Sequence, residues 1–296
     1  MSGSPAAADA SPPPRWLAAG APALFVFLWA TGFVVARYGM PHAPPLAFLS
    51  VRFALAAAVL LVMAAAARAA WPRGRLGHLI VSGLLIQAGY LAGVWCAVRL
   101  GMPAGVSALI VNLQPILTAA AGPWLGEHAS RRQWAGLALG LAGVTLVVAN
   151  KISVLGLSLA TVALSVFALL CITGGTLYQK RFCASFDLRT GVAVQYAASF
   201  AVVFPLALWL EEWRFDWNGE LVFAMAWSVL ALSVGAIFLM FRLIRLGEAT
   251  RVASLFYLVP LVTAALAWVL FGESFTPLAG LGLVATMVGV AIVQKR

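Results

Sequence analysis

The chain has 296 residues, of which 63% are hydrophobic and 9% are charged, and its formal net charge is +10. A soluble globular domain is only about 45–50% apolar, so this composition excludes an ordinary soluble protein and indicates a membrane protein. Residues 1–15 are small, polar and proline-rich, which predicts a disordered cytoplasmic tail. These residues lack the positively charged region that begins a signal peptide, and the apolar run after them is too long for a signal-peptide core. We therefore expect the first span to be retained in the protein.

Ten apolar runs follow this tail. A membrane-spanning helix needs roughly 20 mostly apolar residues to cross roughly 30 Å of hydrocarbon, and each run is close to that length. In chain order they cover residues 16–36, 45–67, 79–98, 102–126, 133–150, 152–179, 190–210, 220–241, 252–272 and 274–294. The predicted fold class is therefore an all-α polytopic membrane protein with ten transmembrane helices.

The basic residues lie mainly in loops that ten spans place on the same side as the N-terminus. This distribution follows the positive-inside rule, and it predicts that both termini are cytoplasmic. The excess of positive charge is then explained by orientation and by contact with anionic lipid. We therefore expect membrane lipid as a partner and no nucleic acid.

The second half of the chain repeats the first. RLGMPAGVSALI at 99–110 matches RLGEATRVASLF at 245–256, and the match continues with residues 136–148 aligned over 282–294. The repeat divides the chain into two five-helix halves, residues 16–150 and 151–296. Because five is odd, the second half enters the membrane from the opposite side. Inverted repeats of this kind are an architecture of secondary transporters, which bind substrate near the membrane midplane.

Several motifs resemble the drug/metabolite transporter superfamily, in its ten-helix EamA-domain exporter branch. They are FLWATGFVVARYGMP (27–41), PLAFLSVRF (45–53), GTLYQKRF (175–182) and the Gly-Glu pairs 126–127 and 272–273 that follow the proline-bearing spans. The resemblance implies two EamA-type repeats around a central cavity built mainly by spans 1, 3, 4, 6, 8 and 9. It also implies export of amino acids, related metabolites or drugs across the bacterial inner membrane.

Arg52 is the one charged residue deep within a predicted span. An ionised side chain costs a few kcal/mol at that depth, so Arg52 should face protein or water rather than lipid. It could bind the carboxylate of a substrate. Alternatively, it could be structural, reaching the membrane surface or bonding carbonyl groups at a helix end. Its counterpart in the second half lies near Gln195.

Polar amides and aromatic rings provide the other candidate substrate-binding residues. Asn112 and Gln114 lie in span 4 beside Pro115, which frees a backbone carbonyl in the preceding turn. They could line a cavity and bind substrate, or join two helices. Rings could stack on an apolar substrate and attract an ammonium group, whereas Trp and Tyr at span ends usually form an interfacial belt. The aromatic candidates are Trp29, Tyr90, Trp95, Tyr178 and Tyr257.

The sequence carries no signal for an ATP-driven pump, since it has no Gly-Lys pair and hence no phosphate-binding loop. No carboxylate lies deep in a span, which favours facilitated diffusion or exchange over proton coupling. Glu127 and Glu273, at the ends of spans 4 and 9, are expected to be structural caps. Proton-coupled efflux of drugs or of nucleoside and purine-type metabolites remains the alternative.

A membrane-embedded enzyme would need clustered reactive groups at one depth. His42, His78 and His128 are all predicted in loops, and the three cysteines show neither a disulfide framework nor metal spacing. We therefore expect a transporter of small molecules without a metal or other cofactor. A passive pore is weakly disfavoured by the inverted repeat, and the sequence does not indicate the oligomeric state.

Overall fold

The protein is all-helical in the residues that the structure describes. The structure is a computed structural model, and it describes residues 15–121, 130–155, 157–183, 186–239, 258–273 and 276–294. The predicted N-terminal tail up to residue 14, Glu127 and Tyr257 lie outside these ranges. The helices are α1 (Arg15–Gly39), α2 (Pro45–Ala66), α3 (Leu76–Arg99), α4 (Ala104–Val111 and, after a turn, Gln114–Ala120), α5 (Arg131–Leu155), α6 (Leu159–Phe182), α7 (Leu188–Leu210), α8 (Gly219–Leu239), α9 (Leu258–Phe271) and α10 (Pro277–Gln294).

Six of these helices are long and apolar enough to cross a membrane: α1, α2, α3, α6, α7 and α8. Shorter apolar helices lie within α4, α5, α9 and α10. Each of the ten predicted apolar runs thus contains a helix. Large apolar side chains such as Val62, Trp209 and Val269 are exposed on the outside of the bundle. Exposure of so much apolar surface is unfavourable in water but not in the hydrocarbon core of a bilayer. The chain is therefore a multi-pass membrane protein.

Local capping residues fix several helix starts. Pro45 occupies the first turn of α2, where its missing N–H costs nothing. Side-chain oxygens accept a backbone N–H at the start of three other helices: Ser158 from Thr161, Asp187 from Arg189 and Asn218 from Leu221. Each cap satisfies a donor that the helix leaves unpaired.

Three helices depart from a regular α-helix. α4 is interrupted at Asn112 and Leu113, since Pro115 cannot donate a backbone hydrogen bond and restricts the residue before it. α3 and α8 each contain a π-helical segment, at Leu84–Gly89 and Trp227–Ala236. Such segments are frequent at functional sites.

The prediction that His78 lies in a loop was wrong, because α3 begins at Leu76 and includes it. The predicted span began at residue 79 because the preceding residue, His78, is polar. Polar side chains are tolerated at the end of a helix, where they reach the membrane surface.

Glycines bring α5 and α10 into close contact. A Cβ atom added to Gly143 would lie 2.5 Å from the carbonyl oxygen of Gly282, and one added to Gly282 would lie 2.6 Å from that of Gly143. Gly289 meets the carbonyl oxygen of Gly136 and the backbone nitrogen of Gly140 in the same way, at 2.6 Å and 2.5 Å. No larger residue fits at these points without moving backbone, so the glycines set the spacing of the two helices.

Carboxylates join the helices at one end of the bundle, where α1, α3, α7 and α9 finish; we call it the upper end. Glu211, after α7, accepts hydrogen bonds from the backbone N–H groups of Leu46 at 3.1 Å and Ala47 at 2.9 Å. Glu273, after α9, accepts one from Ala104 N at 3.3 Å. Both glutamates therefore cap helices of the other predicted half, α2 and α4, as expected of Glu273.

Candidate substrate-binding site

Arg52 lies at the centre of a buried polar cluster. The residue lies in the third turn of α2, on the side that faces the helix bundle, and only 4% of it is exposed. The Nε–H donates to the hydroxyl oxygen of Ser233 on α8 at 3.2 Å. The guanidinium carbon lies 5.9 Å from the centre of the Trp95 ring on α3. Arg52 is therefore packed against protein and does not reach the membrane surface.

Two tyrosines complete the surroundings of Arg52. The hydroxyl of Tyr196, on α7, lies beside Arg52 and Ser233. Tyr90, on α3, interacts electrostatically with the guanidinium group. Trp95 is held in place by stacking on Phe48, with ring centres 4.5 Å apart. Four helices, α2, α3, α7 and α8, thus meet at one cation.

The partners that the structure describes for this cation are neutral. Within the described ranges, no Asp or Glu side chain lies within ion-pair distance of Arg52. Removing an ion from water costs several kcal/mol unless an opposite charge and further hydrogen bonds compensate. A guanidinium surrounded by hydroxyl groups and an aromatic face is suited to bind a carboxylate, because it offers paired donors in a plane.

A neutral version of the same contact occurs in the other half of the chain. The Nε2 group of Gln195, on α7, donates to Ser82 Oγ on α3 at 2.9 Å and to Gln179 Oε1 on α6 at 2.8 Å. Arg52 joins α2 to α8, and Gln195 joins α7 to α3. The predicted counterparts therefore make equivalent contacts between the halves, but only one of them is charged.

Three other predicted site residues, Asn112, Gln114 and Tyr178, form hydrogen bonds with groups outside the Arg52 cluster. Asn112 Nδ2 donates to the carbonyl of Ala108 in its own helix at 2.7 Å. Gln114 Nε2 donates to Thr176 Oγ1 on α6 at 3.0 Å. The Tyr178 hydroxyl lies 2.8 Å from His78 Nδ1, near the end of the bundle where α3 begins.

Trp29 is partly buried on α1 and packs against the core. Of the seven predicted residues that the structure describes, it brings three together around one cation: Arg52, Tyr90 and Trp95. It adds Tyr196 and Ser233, which the sequence reasoning missed. The one sequence feature that could have pointed to Tyr196 is its position directly after Gln195, the predicted counterpart of Arg52.

An apolar groove of about 420 Å³ opens between α1, α8 and α9, away from the Arg52 cluster. The indole nitrogen of Trp227 donates across it to Thr31 Oγ1 at 2.9 Å. No group of three or more His, Cys, Asp or Glu residues in the described part of the chain could hold a metal ion.

Several known membrane transporters are similar in sequence to this chain over most of its length. A probable amino-acid metabolite efflux pump of Salmonella typhimurium is 29% identical over 91% of this chain and 92% of its own length, and one of Escherichia coli K12 is 27% identical over the same shares. The uncharacterized inner membrane transporter YedA of Escherichia coli K12 is 27% identical over 92% of this chain and 88% of its own.

A known crystal structure shares the fold, with a TM-score of 0.64 and 17% sequence identity over 92% of this chain and 95% of that chain. Two stretches of the chain, residues 17–149 and 159–294, match the EamA-like transporter family. Together they cover most of the molecule, and with the apolar helices they show that the chain is a membrane transporter that belongs to the EamA-like transporter family.

Proposed function

We propose that the protein exports small metabolites across the bacterial inner membrane, above all neutral and aromatic amino acids and their analogues. The observation that carries the substrate class is the buried Arg52, whose described partners are neutral. A substrate carboxylate would supply the missing charge, and Trp95 and Tyr90 would offer aromatic surface to the rest of the molecule. The names of the efflux pumps from Salmonella typhimurium and Escherichia coli agree with this class.

Transport proceeds in this proposal by alternating access between two inverted five-helix repeats. The register of the repeat aligns Gly136 with Gly282 and Gly143 with Gly289. If a two-fold axis relates the halves, a contact of Gly136 with Gly289 requires a matching contact of Gly143 with Gly282. Both contacts are present. This reciprocity, together with the separate family matches of the two halves, supports the inverted repeat.

The upper end of the bundle is assigned to the outside, with both termini in the cytoplasm. Glu211 and Glu273 join the halves at that end, which fits an arrangement with its outer side closed. Trp29, Asn112, Gln114, Tyr178 and Tyr257 remain candidates for substrate contact in other arrangements of the halves. Facilitated diffusion or exchange is the proposed mode of transport, because Arg52 binds a carboxylate without consuming a proton.

The proposal is tested by uptake into liposomes that contain the purified protein. A panel of labelled amino acids and nucleosides is measured with and without a proton gradient. We expect saturable uptake of neutral and aromatic amino acids that is accelerated by unlabelled amino acid on the opposite side. Absence of this acceleration would indicate a pore. Uptake of nucleosides alone, dependent on the gradient, would favour the proton-coupled alternative.

A further inference from the structure

His42 connects the two halves of the chain at the upper end. It lies in the turn between α1 and α2, and its side chain is 17% exposed. Its Nδ1 lies 3.2 Å from Asp216 Oδ2, in the loop between α7 and α8, and its Nε2 lies 3.0 Å from Glu220 Oε2 on α8. The backbone N–H of Asp216 also donates to the carbonyl of His42 at 2.9 Å. One imidazole thus joins two carboxylates of the other half.

The number of carboxylates that His42 can hold depends on its protonation. An imidazolium donates from both nitrogens, whereas a neutral imidazole donates from one and accepts at the other. Asn218 supplies the partner for the neutral ring. Its Oδ1 accepts from Leu221 N at 2.9 Å, which directs its Nδ2 towards His42 Nδ1 at 2.8 Å.

Loss of the proton therefore exchanges one partner of the ring. When neutral, His42 keeps Glu220 through Nε2–H, and its Nδ1 accepts from Asn218. Asp216 then loses its hydrogen bond from His42 and keeps the longer one from Asn218 Nδ2, at 3.4 Å. When protonated, His42 donates to Asp216 and Glu220 together, and the α7–α8 loop is held more strongly.

The other charged groups near this turn are engaged elsewhere. Glu211 caps α2, and Arg37 pairs with Glu273 at 3.8 Å. Arg99 donates to the carbonyl of Met40. In the α7–α8 loop, the exposed Glu212 and Arg214 pair with each other at 3.6 Å.

The charged groups that face the ring among the described residues are thus Asp216 and Glu220. The hydrogen bond to Glu220 raises the pKa of His42 above 6.5; burial opposes this, and Asp216 adds to it. Negative charge around the ring therefore favours its protonated form.

We propose that His42 is a proton-binding site that fastens the outer side of the transporter, with the proton of the external solution as its ligand. The inference rests on the proposed function for its orientation and for alternating access. Proton binding stabilises the closed outer side, so it speeds the return of the empty carrier after substrate release. The stabilisation is complete below a pH of about 6.5 and is lost as the pH rises through the higher pKa of the closed state.

The proton site is tested directly by NMR on the full-length protein in lipid nanodiscs, with isotope-labelled histidine. His42→Gln identifies the His42 signal, since Gln retains a donor and an acceptor but does not titrate near neutral pH. We expect the His42 pKa to lie above 6.5 in the wild type and to fall in Glu220→Gln. Titration at or below 6.5, or no change in Glu220→Gln, overturns the proposal.

Net efflux from proteoliposomes into substrate-free buffer tests the effect on transport, because the empty carrier must then return. The internal pH is fixed and the external pH is varied from about 5.5 to 8.5. We expect the return rate of the wild type to fall by roughly three- to tenfold as the external pH rises over this range. The return rate of His42→Gln should change by less than about twofold. Glu212→Gln, in the same loop but without contact to His42, is the matched control and keeps the wild-type profile. Equal pH dependence in His42→Gln and the wild type overturns the proposal. Failure of the wild type to transport any tested substrate refutes the proposed function instead, and the NMR titration still decides the proton site.

Discussion

Substitution of Arg52 by Gln tests the proposed substrate contact most sharply. The change removes the positive charge but keeps a donor within reach of Ser233. A hydrogen bond to a charged group contributes about 1.5–3 kcal/mol, which corresponds to a roughly 10- to 150-fold loss of affinity. We expect this loss for amino acids with a free carboxylate and a change of less than about threefold for their amides.

Stability of the substrate-free protein provides a second measurement on the same variant. Arg52 is a buried cation whose described partners are neutral, so the wild type bears a desolvation cost that substrate would relieve. We expect the midpoint of thermal unfolding of Arg52→Gln without substrate to equal or exceed that of the wild type. Added amino acid should raise the midpoint of the wild type much more than that of the variant.

Ser233→Ala serves as the control, because it removes the hydrogen-bond partner of Arg52 Nε but leaves the charge. It should retain the preference for carboxylates over amides in the same binding assay. The reasoning is refuted if Arg52→Gln weakens acids and amides equally, or if its unfolding midpoint falls well below that of the wild type. Either result would assign Arg52 to the scaffold.

The remaining predictions concern packing, capping, the aromatic contact and topology. Gly143→Ala should lower the free energy of unfolding by about 1–3 kcal/mol, since its Cβ would meet backbone, whereas Gly280→Ala has open space and should not destabilise the protein. Glu211→Ala should cost about 0.5–2 kcal/mol through the lost cap of α2, measured in the same unfolding assay. Tyr90→Ala should impair liposome uptake without lowering the yield of folded protein; normal uptake would remove Tyr90 from the site. A reporter fused after Arg296 should be active in the cytoplasm, and a periplasmic signal would reverse the assigned orientation.

The helices could be predicted from the sequence because hydrocarbon imposes a minimum length on every apolar run. Arg52 could be singled out for a related reason, since a charge within such a run is costly and needs an explanation. Ser233 lies 181 residues away, and a hydroxyl in an apolar helix is usually satisfied by its own backbone, so it carries no comparable signal. The same holds for the aromatic residues, because the sequence gives the depth of Tyr90 and Tyr178 in their spans but not the direction in which they point.

The break in α4 shows how local and distant information divide. Pro115 removes a backbone donor, as the sequence indicates, and the helix is interrupted just before it. The partner that Gln114 then finds, Thr176, depends on the position of α6 and could not be derived from the proline. Local rules thus predict where a helix is irregular, whereas contacts between the helices determine which side chains meet there.

The glycine contacts between α5 and α10 have a mechanical consequence. Where two backbones touch, there are no side chains that could adopt new rotamers, so the pair resists sliding and moves as one body. If the halves rock about a two-fold axis through this contact, displacements are smallest there and grow towards the Arg52 cluster. The pair would then act as the pivot of the transporter. Its substitutions would change the rate at which the site opens to either side, although no substrate ever reaches them.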